Sequence, residues 1–132
     1  MKVISLTEPY ATLIMDNKKR IETRSWKTDY RGELYIHASS TKIPKEWRNN
    51  QELMKLVEGT PLHFGYIVCH CQLVDCIFMT KEFVEDMKKN HPMEYLCGVY
   101  EEGRYAWILE NITPLDVPIP AKGHLNLWNY ES

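Results

Sequence analysis

The segment NKKRIETRSW, residues 17–26, sets the cations Lys18, Lys19 and Arg20 beside a lone carboxylate, Glu22, a further cation, Arg24, and an indole, Trp26. In a strand, side chains two apart share a face at a spacing of about 7 Å. Arg20, Glu22, Arg24 and Trp26 then lie on one face, with Ile21, Thr23 and Ser25 on the other. That set suits a nucleobase or nucleoside. The ring stacks on an indole, a carboxylate accepts from an exocyclic amino group, and cations meet phosphate. The same residues also read as an exposed edge strand whose charges keep it soluble. Trp26 argues against that reading, because a solvated face leaves its large apolar body uncovered.

The C-terminal half carries matching chemistry. RYAWILE puts Tyr105 and Trp107 on one strand face, and PIPAKGHLNLW adds Lys122 beside Gly123 and then Trp128. Aromatic residues interleaved with cations line nucleic-acid and nucleotide clefts. Core packing is the competing reading for Trp107 and Trp128.

Other chemistry finds less support. Cys69, His70, Cys71 and Cys76 crowd together, but on a strand Cys69 and Cys71 face away from His70, and no second Cys-x-x-Cys pair exists. They read as small buried hydrophobes, with no metal site and no cofactor. No Gly-rich phosphate loop and no G-x-S-x-G elbow is present. His37 stands near Ser39 and Ser40, which reads as chance proximity.

The elements that must position these residues follow from local pattern. Val3, Ile4 and Leu6 mark a first strand. A helix follows, with Thr7 or Glu8 to cap it, Pro9 in its first turn and Asn17 as its left-handed end. ELYIHAS alternates, placing Leu34, Ile36 and Ala38 on one face. A second helix is expected over residues 44–58, stopped by Gly59 and Pro61. HFGYIVCHCQLVDCIFM reads as a long strand and TKEFVEDMKKN as a short helix capped by Thr80. RYAWILENI reads as another strand. PLDVPIPAKG reads as a separate extended edge, since proline cannot donate to a ladder, and HLNLWNY closes the chain. Strands and helices mix without regular alternation, which points to α+β or a small barrel and away from a doubly wound sheet.

The 132 residues fit one domain, 1–132, with a formal net charge of −2. A nucleic-acid binder of that charge must gather its cations on one face. Lys18, Lys19, Arg20, Arg24, Lys27 and Arg31 do cluster in sequence, while Glu82, Glu85, Glu94, Glu101 and Glu102 lie elsewhere. No signal-peptide-like or membrane-spanning run is seen, so the expectation is a cytoplasmic protein with reduced thiols and no membrane partner.

At these residues the sequence resembles the ASCH domain family of the PUA-like superfamily, whose pattern is G-x-K-x-x-E-x-R. NKKRIETR matches it with Lys19, Glu22 and Arg24 in register, and Asn17 stands where the family has Gly. SLTEPYATLI, YRGELYIHAS, GYIVCHCQLVDC, RYAWILEN and PIPAKGHLNLW extend the likeness over nearly the whole chain, in the manner of bacterial members. The resemblance implies a small mixed β-barrel with peripheral helices and a cleft for RNA or a nucleotide-like ligand. It implies Lys19, Glu22 and Arg24 in that cleft, with Lys122, Gly123 and Trp128 nearby. On this reading Lys19 and Arg24 contact phosphate, Glu22 accepts from a base or fixes Arg24, and Trp26 or Trp107 offers a stacking face. One branch of the family resembles amidohydrolases acting on N4-acylated cytidine. Their presumed Thr nucleophile falls at the position of Glu22, so the alternative enzyme here would rest on Lys19 and Glu22, the latter directing a water.

Overall fold

A computed structural model describes residues 1–131. The elements in chain order are β1 (Lys2–Leu6), α1 (Tyr10–Met15), β2 (Ile21–Arg24), β3 (Gly32–Ala38), α2 (Lys45–Arg48), α3 (Gln51–Lys55), β4 (Tyr66–Phe78), α4 (Lys81–Asn90), α5 (Pro92–Leu96), β5 (Tyr105–Pro120) and β6 (Leu127–Asn129). The strands form one sheet in the order β2-β5-β4-β3-β1-β6. Only the β1–β3 pair is parallel among the described residues, which makes the sheet mixed.

Alternation decides which face of the sheet is buried. Ile4, Leu6, Leu34, Ile36, Cys69, Cys71 and Trp107 enter one core cluster with Ala11 and Ile14 of α1. The sheet curls around this cluster into a half-barrel. Cys69 and Cys71 are fully buried on that face, and burial pushes the Cys71 thiol up to about 12, where it is an inert apolar group. His70 points the other way, against the Tyr35 ring.

α1 is short and held at both ends. Pro9 occupies its cap position, and the Glu8 carboxylate accepts from the Thr12 N–H at 2.9 Å and the Thr12 hydroxyl at 2.7 Å. Asn17 at φ 60° turns the chain out of the helix, as its sequence position suggests. Thr80 caps α4 by accepting from the Phe83 N–H.

Two expectations change. The helix over residues 44–58 is two short helices, α2 and α3, because Asn50 leaves helical geometry and its side chain caps Leu53 N–H. RYAWILENI and PLDVPIP are one strand, β5, rather than a strand and a separate edge. The prolines still lie at an edge. The β2 ladder ends at Ile108, so the stretch with Pro114, Pro118 and Pro120 has β4 as its sheet neighbour and an open opposite side.

Candidate functional site: a two-part cleft at the sheet seam

The curl brings β2, at one end of the sheet, back toward β1 near the other. Arg24 spans the seam, its Nη2 donating to the Ser5 carbonyl at 2.9 Å. Its Nε lies 3.1 Å from Glu22 Oε2, although the N–H is not aimed at that oxygen. The pair is therefore held by charge more than by a directed hydrogen bond.

Lys19 enters from the turn after α1, where Lys18 N–H and Lys19 N–H both donate to the Leu13 carbonyl. Its ammonium donates to the Ile21 carbonyl at 2.6 Å and to the Cys97 carbonyl, lies 3.6 Å from Glu22 Oε1, and sits 4.8 Å over the Tyr10 ring. Lys19 is 0% exposed. The expected phosphate contact is thus corrected. No phosphate can reach this nitrogen, which instead anchors Glu22 and ties β2 to the segment after α5.

Glu22, 7% exposed, therefore carries a cation on each side of its carboxylate. It opens onto a hollow of about 340 Å³ lined by Tyr10, Arg24, Trp26, Trp47 and Arg104 among others. That volume falls at the small end of the range for small-molecule sites, roughly 300–1,000 Å³. Trp26 lies just past the end of β2 and meets the Trp107 ring edge-on at 4.8 Å between centroids. Trp107 is 0% exposed and donates from Nε1 to the Trp26 carbonyl at 3.4 Å. Its proposed stacking face is corrected, since it is a core residue that braces Trp26 and touches no open space. Thr23, next to Glu22 on β2, also lines this hollow, and its hydroxyl accepts from the Val99 N–H at 3.0 Å.

Across Arg24 lies a second hollow of about 750 Å³, which shares Ser5, Thr7 and Arg24 with the first and adds Lys122, Gly123, His124 and the Ser39–Thr41 turn. Lys122 is exposed at its rim. Gly123 is forced by packing: a Cβ there would stand 2.8 Å from His37 Cε1 and 2.9 Å from Ser5 Oγ. His37 Nε2 lies 2.8 Å from the Ala121 carbonyl, so it carries the proton, and Nδ1 accepts from the Ser5 hydroxyl at 2.9 Å. Trp128 is buried and donates from Nε1 to Ser5 Oγ, behind the cleft and not in it.

Not every cation of the opening segment gathers here. Lys18 donates to the Leu56 carbonyl, while Arg20 lines a separate hollow with Glu94 and Glu110. Lys27 and Arg31 form exposed ion pairs with Asp29 and Asp75. The site also contains Trp47, Tyr10, Arg104 and Ser5, which sequence reading did not single out. Trp47 reads as one apolar position in a helical stripe, and nothing in that stripe says it will lie 4.8 Å from Tyr10 beside Glu22. Among the described residues no group of three or more His, Cys, Asp or Glu side chains could hold a metal ion, and no helix is long and apolar enough to cross a membrane.

A curled mixed sheet with peripheral helices and a cleft at its seam defines an α+β, PUA-like half-barrel. The ASCH domain model matches residues 4–119, and the chain belongs to the ASCH domain family. Activating signal cointegrator 1 of Homo sapiens is 28% identical over 136 residues, and that of Mus musculus 27%. Each alignment covers 98% of this chain but 22% of the relative, so the chain spans about a fifth of the length of these curated relatives. The crystal structure of ASCH from Zymomonas mobilis is similar at a TM-score of 0.57 and 18% identity, covering 90% of this chain and 72% of that one. A mutant of the same protein gives a TM-score of 0.55 at 19% identity, covering 90% and 74%.

Proposed function

We propose that the cleft binds single-stranded RNA or a nucleotide-like ligand, with a base seated in the hollow between Trp26 and Trp47. The observation that carries this reading is the placement of Glu22. A carboxylate held between Lys19 and Arg24 at the floor of a small aromatic-walled hollow is a fixed acceptor. An exocyclic amino group supplies the matching donor, and an indole face supplies stacking. Arg24, and not Lys19, is the cation placed to reach backbone phosphate. Support from kinship is coarser, since the PUA-like fold of ASCH domains is associated with RNA binding.

Hydrolysis of an acylated nucleoside is less well supported by the geometry. The Lys19 ammonium is engaged by two carbonyls and a carboxylate, and the hydroxyl of Thr23, which lines the same hollow as Glu22, is taken up by the Val99 N–H. The test is photocrosslinking of a 4-thiouridine-containing single-stranded RNA, with the adducts mapped by mass spectrometry. Adducts at Trp26, Trp47 or Tyr10 are expected. Adducts confined to the α4 face, or none, would reject the reading.

A further inference from the structure

The second hollow mixes cations, hydroxyls and two imidazoles with Gly123, Leu125 and Asn126. The chain holds 18 acidic residues against 16 Lys and Arg, yet among the described residues no Asp or Glu lines this hollow. Arg24 and Lys122 supply two cations, and the Ser39–Thr41 turn supplies hydroxyls. Close packing of Gly123 on His37 and Ser5 draws the Lys122–His124 backbone down onto its wall. Cations and hydroxyls without a competing carboxylate are what a phosphate requires. The first hollow differs. It sets the Glu22 carboxylate and two indoles beside Arg24 and Arg104, a lining that offers a base an acceptor and ring faces.

The two hollows meet at Arg24, Ser5 and Thr7, so a ligand spanning both passes over one guanidinium. A phosphomonoester carries about −1.5 to −2 charges near neutral pH, which matches two cations, whereas an internal phosphodiester carries a single charge. We infer that the cleft takes a nucleotide with a terminal phosphomonoester, its base beside Glu22 and its phosphate between Arg24 and Lys122. This rests on the base-binding reading above and names the ligand class of that site.

The test is amide NMR of the full chain titrated with inorganic phosphate, cytidine, and cytidine 5′- and 3′-monophosphate. Inorganic phosphate is expected to shift the amides of Lys122, Gly123 and the Ser39–Thr41 turn. One of the two monophosphates should bind roughly tenfold or more tightly than cytidine, and which one does so assigns the end recognised. Lys122→Ala, at an exposed position, should shrink that ratio to within about threefold. Equal binding of cytidine and both monophosphates overturns the phosphomonoester and leaves the base-binding reading intact. A ratio unchanged in Lys122→Ala overturns the assignment in the same way. Phosphate shifts with no binding of cytidine or either monophosphate overturn the base-binding reading, and the nucleotide with it.

Discussion

Arg24 of β2 reaches across the open seam of the half-barrel to the backbone of Ser5 in β1, 2.9 Å from Nη2 to the carbonyl oxygen. One side chain thereby joins β2, at one end of the sheet order, to β1, next to the other end, and is shared by the two hollows of the cleft. The charge-assisted hydrogen bond from its planar guanidinium ties the seam, and its Nε lies 3.1 Å from Glu22 Oε2.

Arg24→Ala is expected to lower unfolding free energy by about 1–3 kcal/mol, since a charged hydrogen bond and the partner of a nearly buried carboxylate are lost together. Arg24→Lys should recover part of that loss without restoring ligand affinity, because an ammonium cannot reproduce the guanidinium fork. Denaturant unfolding checks the first statement and ligand titration the second.

Lys19→Ala should act on stability first. It strips the Ile21 and Cys97 carbonyls of their donor and leaves Glu22 with one cation fewer at a fully buried point. Breaking a buried pair by removing one partner costs about 3–5 kcal/mol. The check is urea unfolding, with a lower midpoint at unchanged slope and a fall in unfolding free energy of that size expected. A neutral outcome would mean the ammonium is not the anchor described.

Trp47→Ala isolates the contribution of the aromatic wall. Trp47 is half-buried and lies outside the main core cluster, whereas Trp26 also packs on Trp107. Loss of one stacking face should weaken RNA binding by about 1–3 kcal/mol, read by anisotropy of a labelled oligonucleotide. Indole fluorescence of the wild type should quench on ligand addition and quench less in the variant.

His37 gives the fold an acid-sensitive element. Burial holds its imidazole below the ordinary value of 6.5, with the nearby His124 acting in the same direction and the Ala121 and Gly65 backbone contacts opposing it. The unfolded chain therefore takes up a proton at higher pH than the folded one. The stability that His37 contributes is complete above about 6.5 and is lost as pH falls from there through its folded value. Glu8 and Glu94 run the other way, because burial raises both above 4.5, and their ionisation weakens the fold as pH rises through that higher range. As pH is lowered from 7 to 5, the melting temperature of the wild type should fall relative to that of His37→Gln, in which the opposing carboxylates are unchanged.

Much of this architecture is legible in the chain because local rules act alone there. Asn17 ends a helix, Thr80 starts one, and the alternation of Leu34, Ile36 and Ala38 buries one face of β3. The Asn50 cap is equally local, but the apolar stripe through Trp47, Leu53 and Val57 runs across it and hides the break between α2 and α3. In the site, spacing placed Glu22 beside Arg24 and could not see depth. Lys19 and Trp107 look like wall residues in sequence, and their burial depends on α1, the segment after α5 and the Trp26 loop closing over them. Trp47, Arg104 and Ser5 join the cleft through contacts spanning much of the chain, which no local period records.

The most direct test of the cleft is the affinity of a short single-stranded RNA across a salt series, measured for wild type, Arg24→Ala and Trp47→Ala. Phosphate contacts on a single strand give a slope of log affinity against log salt of about −0.7 per contact. Binding should weaken with salt in the wild type, Arg24→Ala should flatten the slope by about one contact, and Trp47→Ala should lower affinity with the slope retained. An affinity that is indifferent to salt and to both substitutions would contradict a nucleic-acid site at this seam.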